Sequence, residues 1–143
     1  MFWPNEIILH CTGSHQDWTL DDIRKCHLSR GFSDIGYHFI IFPDGTRKVG
    51  RPIYKMGAHC RGHNKNSIGI AWVGGLNGAR DMTPQQKFRL STTILLLASS
   101  LVYPIDTLST HHFYNPHKSC PNYTLDELLL DKNYYRMFKT LNG

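Results

Sequence analysis

The chain has 143 residues, of which 41% are hydrophobic and 19% are charged. This composition is typical of a globular domain with one core, and it excludes a disordered or fibrous protein. The formal net charge of +5 favours a polyanionic partner, such as nucleic acid, anionic lipid or an acidic cell-wall polymer, without choosing among them.

The first half of the chain combines short apolar runs with one capped helix. "EIILHC" is typical of a buried strand that ends at His10. Thr19, followed by two aspartates, predicts the start of a helix that ends at Gly31, with His27 on its apolar face. "GYHFIIFPDGTRKVGR" predicts a β-hairpin, and "SIGIAWVGG" predicts a further buried strand.

The second half begins with a strong helix signal. Thr83, Pro84 and Gln86 supply an N-cap, a proline at the first helical position and the third residue of a capping box. We expect this helix to run towards Tyr103. Its core-facing stripe consists of Leu90, Ile94, Leu97, Ala98 and Leu101.

A short helix is also expected after Thr124, in "LDELLLD". Strands and helices intermingle along the whole chain, which has no repeat, linker or low-complexity tract. We therefore predict a single α/β domain over residues 1–143, in which a central mixed β-sheet is flanked by helices.

The sequence shows no recognisable targeting signal or membrane span. "MFWPNEIILH" lacks the basic start of a secretion signal and contains Glu6. No apolar stretch reaches the length of a membrane span, and no cysteine pair has the CxxC spacing. We expect synthesis in the cytoplasm without a signal peptide, and we interpret the four cysteines as reduced thiols.

"THHFYNPHKSC", residues 110–120, concentrates reactive side chains. With His10 as a ligand from a distant strand end, Cys120 and a histidine of this stretch satisfy the three-ligand pattern of a catalytic zinc site. In an extended "KSC", Lys118 would point the same way as Cys120, and His117 and Ser119 the other way. Lys118 would then stabilise an oxyanion.

Two other interpretations of this stretch remain open. Cys120 is a candidate nucleophile with His111 or His112 as its base, although it is not placed at the start of an evident helix. The histidines are alternatively ordinary surface residues.

Three longer motifs carry a resemblance to a known family. "GFSDIGYHFIIFPDGTRKVGRP", "MGAHCRGHNKNSIGIAWVGG" and "HH…KSCP" occur in this order. Together they resemble zinc-dependent N-acetylmuramoyl-L-alanine amidases of the amidase-2 type, which include small phage endolysins and peptidoglycan recognition proteins. The likeness runs from about Ile7 to Leu125. It implies a mixed sheet with zinc at the floor of an open groove.

The resemblance also implies roles for individual residues. The zinc ligands fall on His10, His111 and Cys120. The tyrosine that hydrogen-bonds the water or substrate falls on Tyr37, and the lysine that stabilises the transition state falls on Lys118.

Two histidines complete these expectations. His59 falls where the family lines its substrate cleft. The segment up to Cys120 is slightly longer than in the phage members, which leaves His112 as an alternative ligand to His111.

Strand alternation and helix periodicity give further expectations. Tyr37 shares a face with Phe39 and Ile41, which by itself suggests the core. Cys11 is expected to pack in the core. His27 and His38 are expected to be structural, and His112 and His117 are expected to be exposed or to lie behind the site.

The expected function is zinc-dependent hydrolysis of the amide bond between N-acetylmuramic acid and L-alanine in peptidoglycan, as in a phage-type endolysin. Zn²⁺ is the expected cofactor, peptidoglycan or muropeptides are the expected partners, and release from the cytoplasm to the wall is required. The alternatives are a non-catalytic peptidoglycan-binding module and a regulator that binds a protein such as a polymerase. Nucleic acid is disfavoured because the chain has no basic run.

Overall fold

The computed structural model describes residues 1–100, 102–131, 133 and 137–141. Within these residues, six strands form one sheet, namely β1 Glu6–Cys11, β2 Phe39–Ile41, β3 Arg47–Val49, β4 Ser67–Trp72, β5 Thr107–Thr110 and β6 Lys139–Leu141. The described α-helices are α1 Leu20–Ser29, α2 Pro84–Ala98, α3 His111–Tyr114 and α4 Leu125–Leu128. The predicted α/β class with a central mixed sheet is confirmed.

The sheet has the order β3-β2-β4-β1-β5-β6. The central strand β1 is parallel to both of its neighbours, β4 and β5, whereas the hairpin partners β2 and β3 are antiparallel. Leu9 pairs with Thr110 of β5, and His10 pairs with Ala71 of β4. The carboxyl ends of β1, β4 and β5 therefore meet at one edge, where α/β sheets commonly bind their ligands.

Capping boxes start the helices where the sequence predicts them. The Thr19 hydroxyl accepts the Asp22 N–H at 3.1 Å, and the Asp22 carboxylate accepts the Thr19 N–H at 2.8 Å. Thr83 and Thr124 form equivalent boxes at α2 and α4. Such caps satisfy amide groups that have no partner within the helix.

Helix α2 ends earlier than expected. It stops at Ala98 rather than near Tyr103, and the Ser99 hydroxyl bonds the Leu95 carbonyl at 2.7 Å. Pro104 follows shortly afterwards, and a proline cannot continue a helix. Leu101, the last position of the predicted stripe, lies outside the described residues.

The two faces of the sheet carry different packing. Ile7 and Leu9 of β1 belong to a large cluster that α2 and α4 cover, with Ile94 and Leu125 among its members. A smaller cluster consists of Ile23, Ile35, Ile40 and Val73. Ile23 comes from α1, so α1 covers this second face. Alternation along β1 turns His10 away from Leu9 and towards the side of α1.

The sequence did not predict β5, α3 or β6. Strand β5 reads "TLST", which is too short and too polar to show a strand period. Among the described residues, no helix is long and apolar enough to cross a membrane.

Candidate metal centre

His10 and His111 meet at the edge where β1 and β5 end. His10 is the penultimate residue of β1, and His111 is the first residue of α3, directly after β5. The Thr110 hydroxyl caps α3 by accepting the Phe113 N–H at 3.2 Å. This turn directs His111 back over β1, and the centroids of the two imidazole rings lie 4.7 Å apart.

Cys120 reaches the same edge from the loop after α3. The Trp72 indole N–H of β4 donates to the Pro121 carbonyl at 3.1 Å. The Asn122 amide donates to the Gly75 carbonyl at 3.1 Å. At the site itself, the Cys11 N–H donates to Cys120 Sγ at 3.0 Å, which favours the thiolate form of Cys120.

The three side chains form a compact group. One ligand atom each from His10, His111 and Cys120 lies within 4.8 Å of the other two. Two imidazoles and one thiolate are preferred zinc ligands, and three protein ligands leave a fourth position open in a catalytic site. The donor set therefore fits the expected zinc ion.

The geometry separates His111 from its neighbour His112. The Nδ1 atom of His112 lies 2.7 Å from the Lys118 carbonyl oxygen, to which it donates. The His112 N–H donates to the Cys120 carbonyl at 2.9 Å. His112 thus fixes the loop that carries Cys120, and its ring does not belong to the three-residue group.

His59 lies directly behind His10. Its Nδ1 atom is 2.8 Å from His10 Nε2, and its Nε2 atom is 3.3 Å from Ser67 Oγ. The Asn64 side chain accepts the His59 N–H at 2.9 Å and holds its loop. His59 also borders the groove, as the sequence predicts, but the contact with His10 was not anticipated.

Burial keeps the imidazoles of the site neutral. Desolvation lowers the pKa of His10 well below its ordinary value, and the neighbouring histidines add to this effect. The pKa of His59 falls to about 3, mainly by burial, while the Ser67 backbone opposes the shift. Burial also lowers the pKa of His111, and the charge of Lys118 acts in the same direction. Neutral imidazoles are the form that binds metals.

Burial shifts the pKa of the Cys120 thiol in the opposite direction. Burial raises its pKa well above the ordinary value and the Cys11 side chain adds to this shift, whereas the Cys11 N–H opposes it. The thiolate consequently needs a compensating positive charge, which a metal ion provides.

Tyr37 stands beside the group at the start of the hairpin. Its ring centroid is 5.3 Å from that of His10, and its hydroxyl lies 3.4 Å from the Cys11 carbonyl. Its ring also packs partly against the smaller core cluster. Tyr37 therefore combines the core contact that alternation suggests with a place at the site. Burial raises the pKa of Tyr37 far above its ordinary value.

Lys118 is exposed at the lip of the groove. It borders the same groove as Cys120, as the sequence predicts. Ser119 also borders this groove, and its hydroxyl donates to the side-chain oxygen of Asn122 at 2.8 Å.

The groove above these residues has a volume of about 310 Å³. His27, Arg30, Ala58, Asn77 and Asn122 are among the further residues along it. A second depression of about 290 Å³ adjoins it and shares Gly78, Ser119 and Asn122 with it. Together they offer an elongated binding surface rather than a closed pocket.

Two other histidines are structural, as predicted. His27 Nδ1 accepts the Gly36 N–H at 2.8 Å. His38 Nδ1 accepts the Gly69 N–H at 3.1 Å, while its Nε2 lies 2.7 Å from the Lys55 carbonyl. Cys11 is 5% exposed, in agreement with the expected burial, although it also borders the groove.

The sequence predicts "SIGIAWVGG" only as a buried strand, so it did not indicate that Ser67 and Gly69 contribute to the site. His10 pairs with Ala71, so Ser67, Gly69 and Ala71 share the face of His10. An added Cβ at Gly69 would lie 2.5 Å from His59 Cγ. The alternation in "SIG" is the sequence signal that places both residues beneath the site.

Two imidazoles and a thiol at the carboxyl ends of parallel strands, beside an open groove, form a ligand set and a location suited to a catalytic metal ion. The family model described as N-acetylmuramoyl-L-alanine amidase matches residues 3–123. The chain belongs to this family.

Sequence relatives include phage endolysins. The endolysin of Enterobacteria phage K11 is 35% identical over 127 residues, which cover 85% of this chain and 82% of that protein. The endolysin of Escherichia phage T7 is 36% identical over 125 residues, which cover 83% and 81%.

Solved structures share the fold. The N-acetylmuramoyl-L-alanine amidase LysC from Clostridium intestinale superimposes with a TM-score of 0.80 at 36% identity, covering 89% of this chain and 83% of that one. The bumblebee peptidoglycan recognition protein PGRP-SA superimposes with a TM-score of 0.74 at 26% identity, covering 85% and 76%.

Proposed function

We propose that this protein is a zinc-dependent N-acetylmuramoyl-L-alanine amidase, in which residues 1–143 form one catalytic domain. It would hydrolyse the amide bond that joins N-acetylmuramic acid to L-alanine in peptidoglycan. The observation that supports this proposal most directly is the group of His10, His111 and Cys120 in a groove. Family membership and the endolysin relatives indicate the substrate.

The proposed metal ligands are His10, His111 and Cys120. A zinc ion held there would supply Lewis-acid chemistry, which lowers the pKa of a water molecule to about 7 and polarises a carbonyl group. The neutral state of both imidazoles leaves their lone pairs available as ligands.

Lys118 is proposed to stabilise negative charge on the amide oxygen during the reaction. It is the lysine at the lip of the groove, and its charge is felt at both His111 and Cys120. An ammonium group stabilises a developing oxyanion more than it stabilises the neutral substrate, and this difference lowers the activation barrier.

Tyr37 is proposed to orient the water or the substrate. Its raised pKa keeps the phenol protonated, so it acts as a hydrogen-bond donor and not as a base. His59 also borders the groove, but its closest polar contact is with His10.

The biological role that we propose is wall lysis of the phage-endolysin type. The protein would be made in the host cytoplasm and would reach the wall after release. The net charge of +5 favours association with an acidic wall polymer.

Mass analysis of digested peptidoglycan tests the proposal. We expect new free L-alanine N-termini that disappear with a chelator and return when zinc is added. Cys120→Ser should remove this activity, and Cys26→Ser is the matched control because Cys26 is a free thiol on α1. Binding of muropeptides without release of stem peptide would overturn the hydrolase and favour a peptidoglycan-binding module.

A further inference from the structure

We propose that Ser67 and His59 are positioning residues that fix the tautomer of His10. In this arrangement His10 carries its ring proton on Nε2 and presents the lone pair of Nδ1 to the metal. The metal part rests on the proposed function, because it takes His10 as a ligand. The tautomer itself follows from hydrogen bonds of the protein alone.

The chain of contacts starts at Ser67 on β4. Ser67 is 0% exposed, and its Oγ lies 2.6 Å from the His63 carbonyl oxygen. A carbonyl only accepts, and a hydroxyl has one proton to give. The Ser67 proton is therefore committed to His63, and Ser67 Oγ can only accept from any other neighbour.

That neighbour is the His59 ring. His59 Nε2 lies 3.3 Å from Ser67 Oγ, so a hydrogen bond between them requires the proton on Nε2. A neutral imidazole carries one N–H, and His59 Nδ1 is therefore an acceptor.

His10 is the last member of the chain. Its Nε2 lies 2.8 Å from His59 Nδ1, and with His59 Nδ1 unprotonated the proton between them belongs to His10. An imidazole ring that holds its single proton on Nε2 keeps a lone pair on its other nitrogen, so Nδ1 of His10 is the atom available to a metal. Metal-bound histidines commonly donate their second N–H to an acceptor behind them, which fixes the ring and raises its basicity.

Packing leaves the His59 ring little freedom to turn. An added Cβ at Gly69 would lie 2.5 Å from its Cγ, and one at Gly57 would lie 2.8 Å from its Cδ2. The Asn64 side chain holds the backbone N–H groups of His59 and Cys60 at 2.9 and 3.0 Å. The sheet backbone packs against the ring and Asn64 holds the loop that carries it, so the ring has the fixed orientation that a positioning residue requires.

Nitrogen NMR of the metal-free protein tests the tautomers without any assumption about zinc. With ¹⁵N-labelled histidine, long-range proton–nitrogen correlations should show both His10 and His59 as Nε2–H tautomers. In Ser67→Ala, the His59 signals should shift towards a mixture of tautomers. A His10 ring protonated on Nδ1 in the wild-type protein would overturn the proposal.

A pair of His59 variants tests the consequence for metal binding. Asn places its side-chain oxygen near the position of Nδ1, whereas Gln reaches the position of Nε2. His59→Asn should keep the acceptor for His10 and hold zinc nearly as tightly as the wild type. His59→Gln should raise the zinc dissociation constant about 10–100-fold, measured by competition with a chromophoric chelator.

The outcomes separate this proposal from the function on which it rests. Equal losses of zinc affinity in the two variants would overturn the positioning role. A wild-type protein that binds no zinc would overturn the proposed metal centre, and the NMR result would then decide the tautomer by itself.

Discussion

The centroids of the His10 and His111 imidazole rings lie 4.7 Å apart, although the two residues come from opposite ends of the chain. The parallel pairing of β1 with β5 brings them together, because Leu9 and Thr110 are register partners and each is followed by a histidine. The sheet edge, rather than the histidine-rich loop alone, therefore builds the candidate centre.

The first prediction concerns the two adjacent histidines. His111→Ala should weaken zinc binding by more than the 10–100-fold that loss of an outer partner typically costs, because it removes a ligand. His112→Ala should keep a substantially higher affinity, since His112 bonds the Lys118 carbonyl instead. Zinc titration against a competing chelator measures both variants. A larger loss in His112→Ala would contradict the geometry.

The second prediction concerns Lys118. Lys118→Met removes the charge but keeps most of the side-chain length, and it should lower kcat by roughly 10²–10³-fold, as loss of an oxyanion donor does. Zinc affinity should not fall. Lys65→Met is a matched control at another exposed lysine outside the groove. If Lys118→Met raised KM and left kcat unchanged, the residue would bind substrate only.

The third prediction concerns the Tyr37 hydroxyl. Tyr37→Phe should lower kcat by about 10²-fold or more, while the free energy of unfolding changes by only about 1 kcal/mol. The loss in stability is small because, among the described residues, the hydroxyl makes one long hydrogen bond, to the Cys11 carbonyl at 3.4 Å. Tyr54→Phe is the control, because Tyr54 is 67% exposed. Unchanged kcat in Tyr37→Phe would assign Tyr37 to the core alone.

The sequence was sufficient for the parts of the fold that local chemistry determines. Thr19, Thr83 and Thr124 mark helix starts because a capping box lies within four residues of chain. The buried strands β1 and β4 are continuous apolar runs, which is what a central parallel strand requires. These features need no knowledge of distant contacts.

The rest depends on pairing across the chain. "TLST" becomes β5 because β1 and β6 bond it from both sides, and no local signal contains that information. Likewise, His59 contacts His10 because its loop folds over Gly69. Motif resemblance placed His59 in the cleft, but only the three-dimensional arrangement shows which atom it contacts.

The fourth prediction concerns the space under His59. Gly69→Ala would bring a methyl group within 2.5 Å of His59 Cγ, and overpacking of this kind costs about 1–3 kcal/mol of unfolding free energy. The displaced ring should also weaken zinc binding. Ile70→Val, on the opposite face of β4, should cost about 0.5–1.5 kcal/mol and leave zinc affinity unchanged. Equal effects on zinc affinity would contradict the specific role of the His59 ring.

The fifth prediction concerns acid stability. Burial lowers the pKa of His27 from 6.5 to about 4, with the charges of Arg30 and Arg51 acting in the same direction. Between these values the unfolded chain binds a proton that the folded protein excludes. Stability is therefore fully present above pH 6.5 and falls as the pH drops towards 4.

The contribution of His27 is at most about 1.4 kcal/mol per pH unit within this window. His27→Asn keeps an acceptor for the Gly36 N–H but cannot titrate. The unfolding free energy of this variant should therefore depend less steeply on pH, by a difference that corresponds to at most one bound proton. Urea unfolding of the metal-free proteins at several pH values measures the slopes, which do not depend on the absolute stability of either protein. Other buried histidines keep some slope in the variant, because burial also lowers the pKa values of His10 and His59. Identical slopes in the two proteins would show that His27 is protonated equally in the folded and unfolded states.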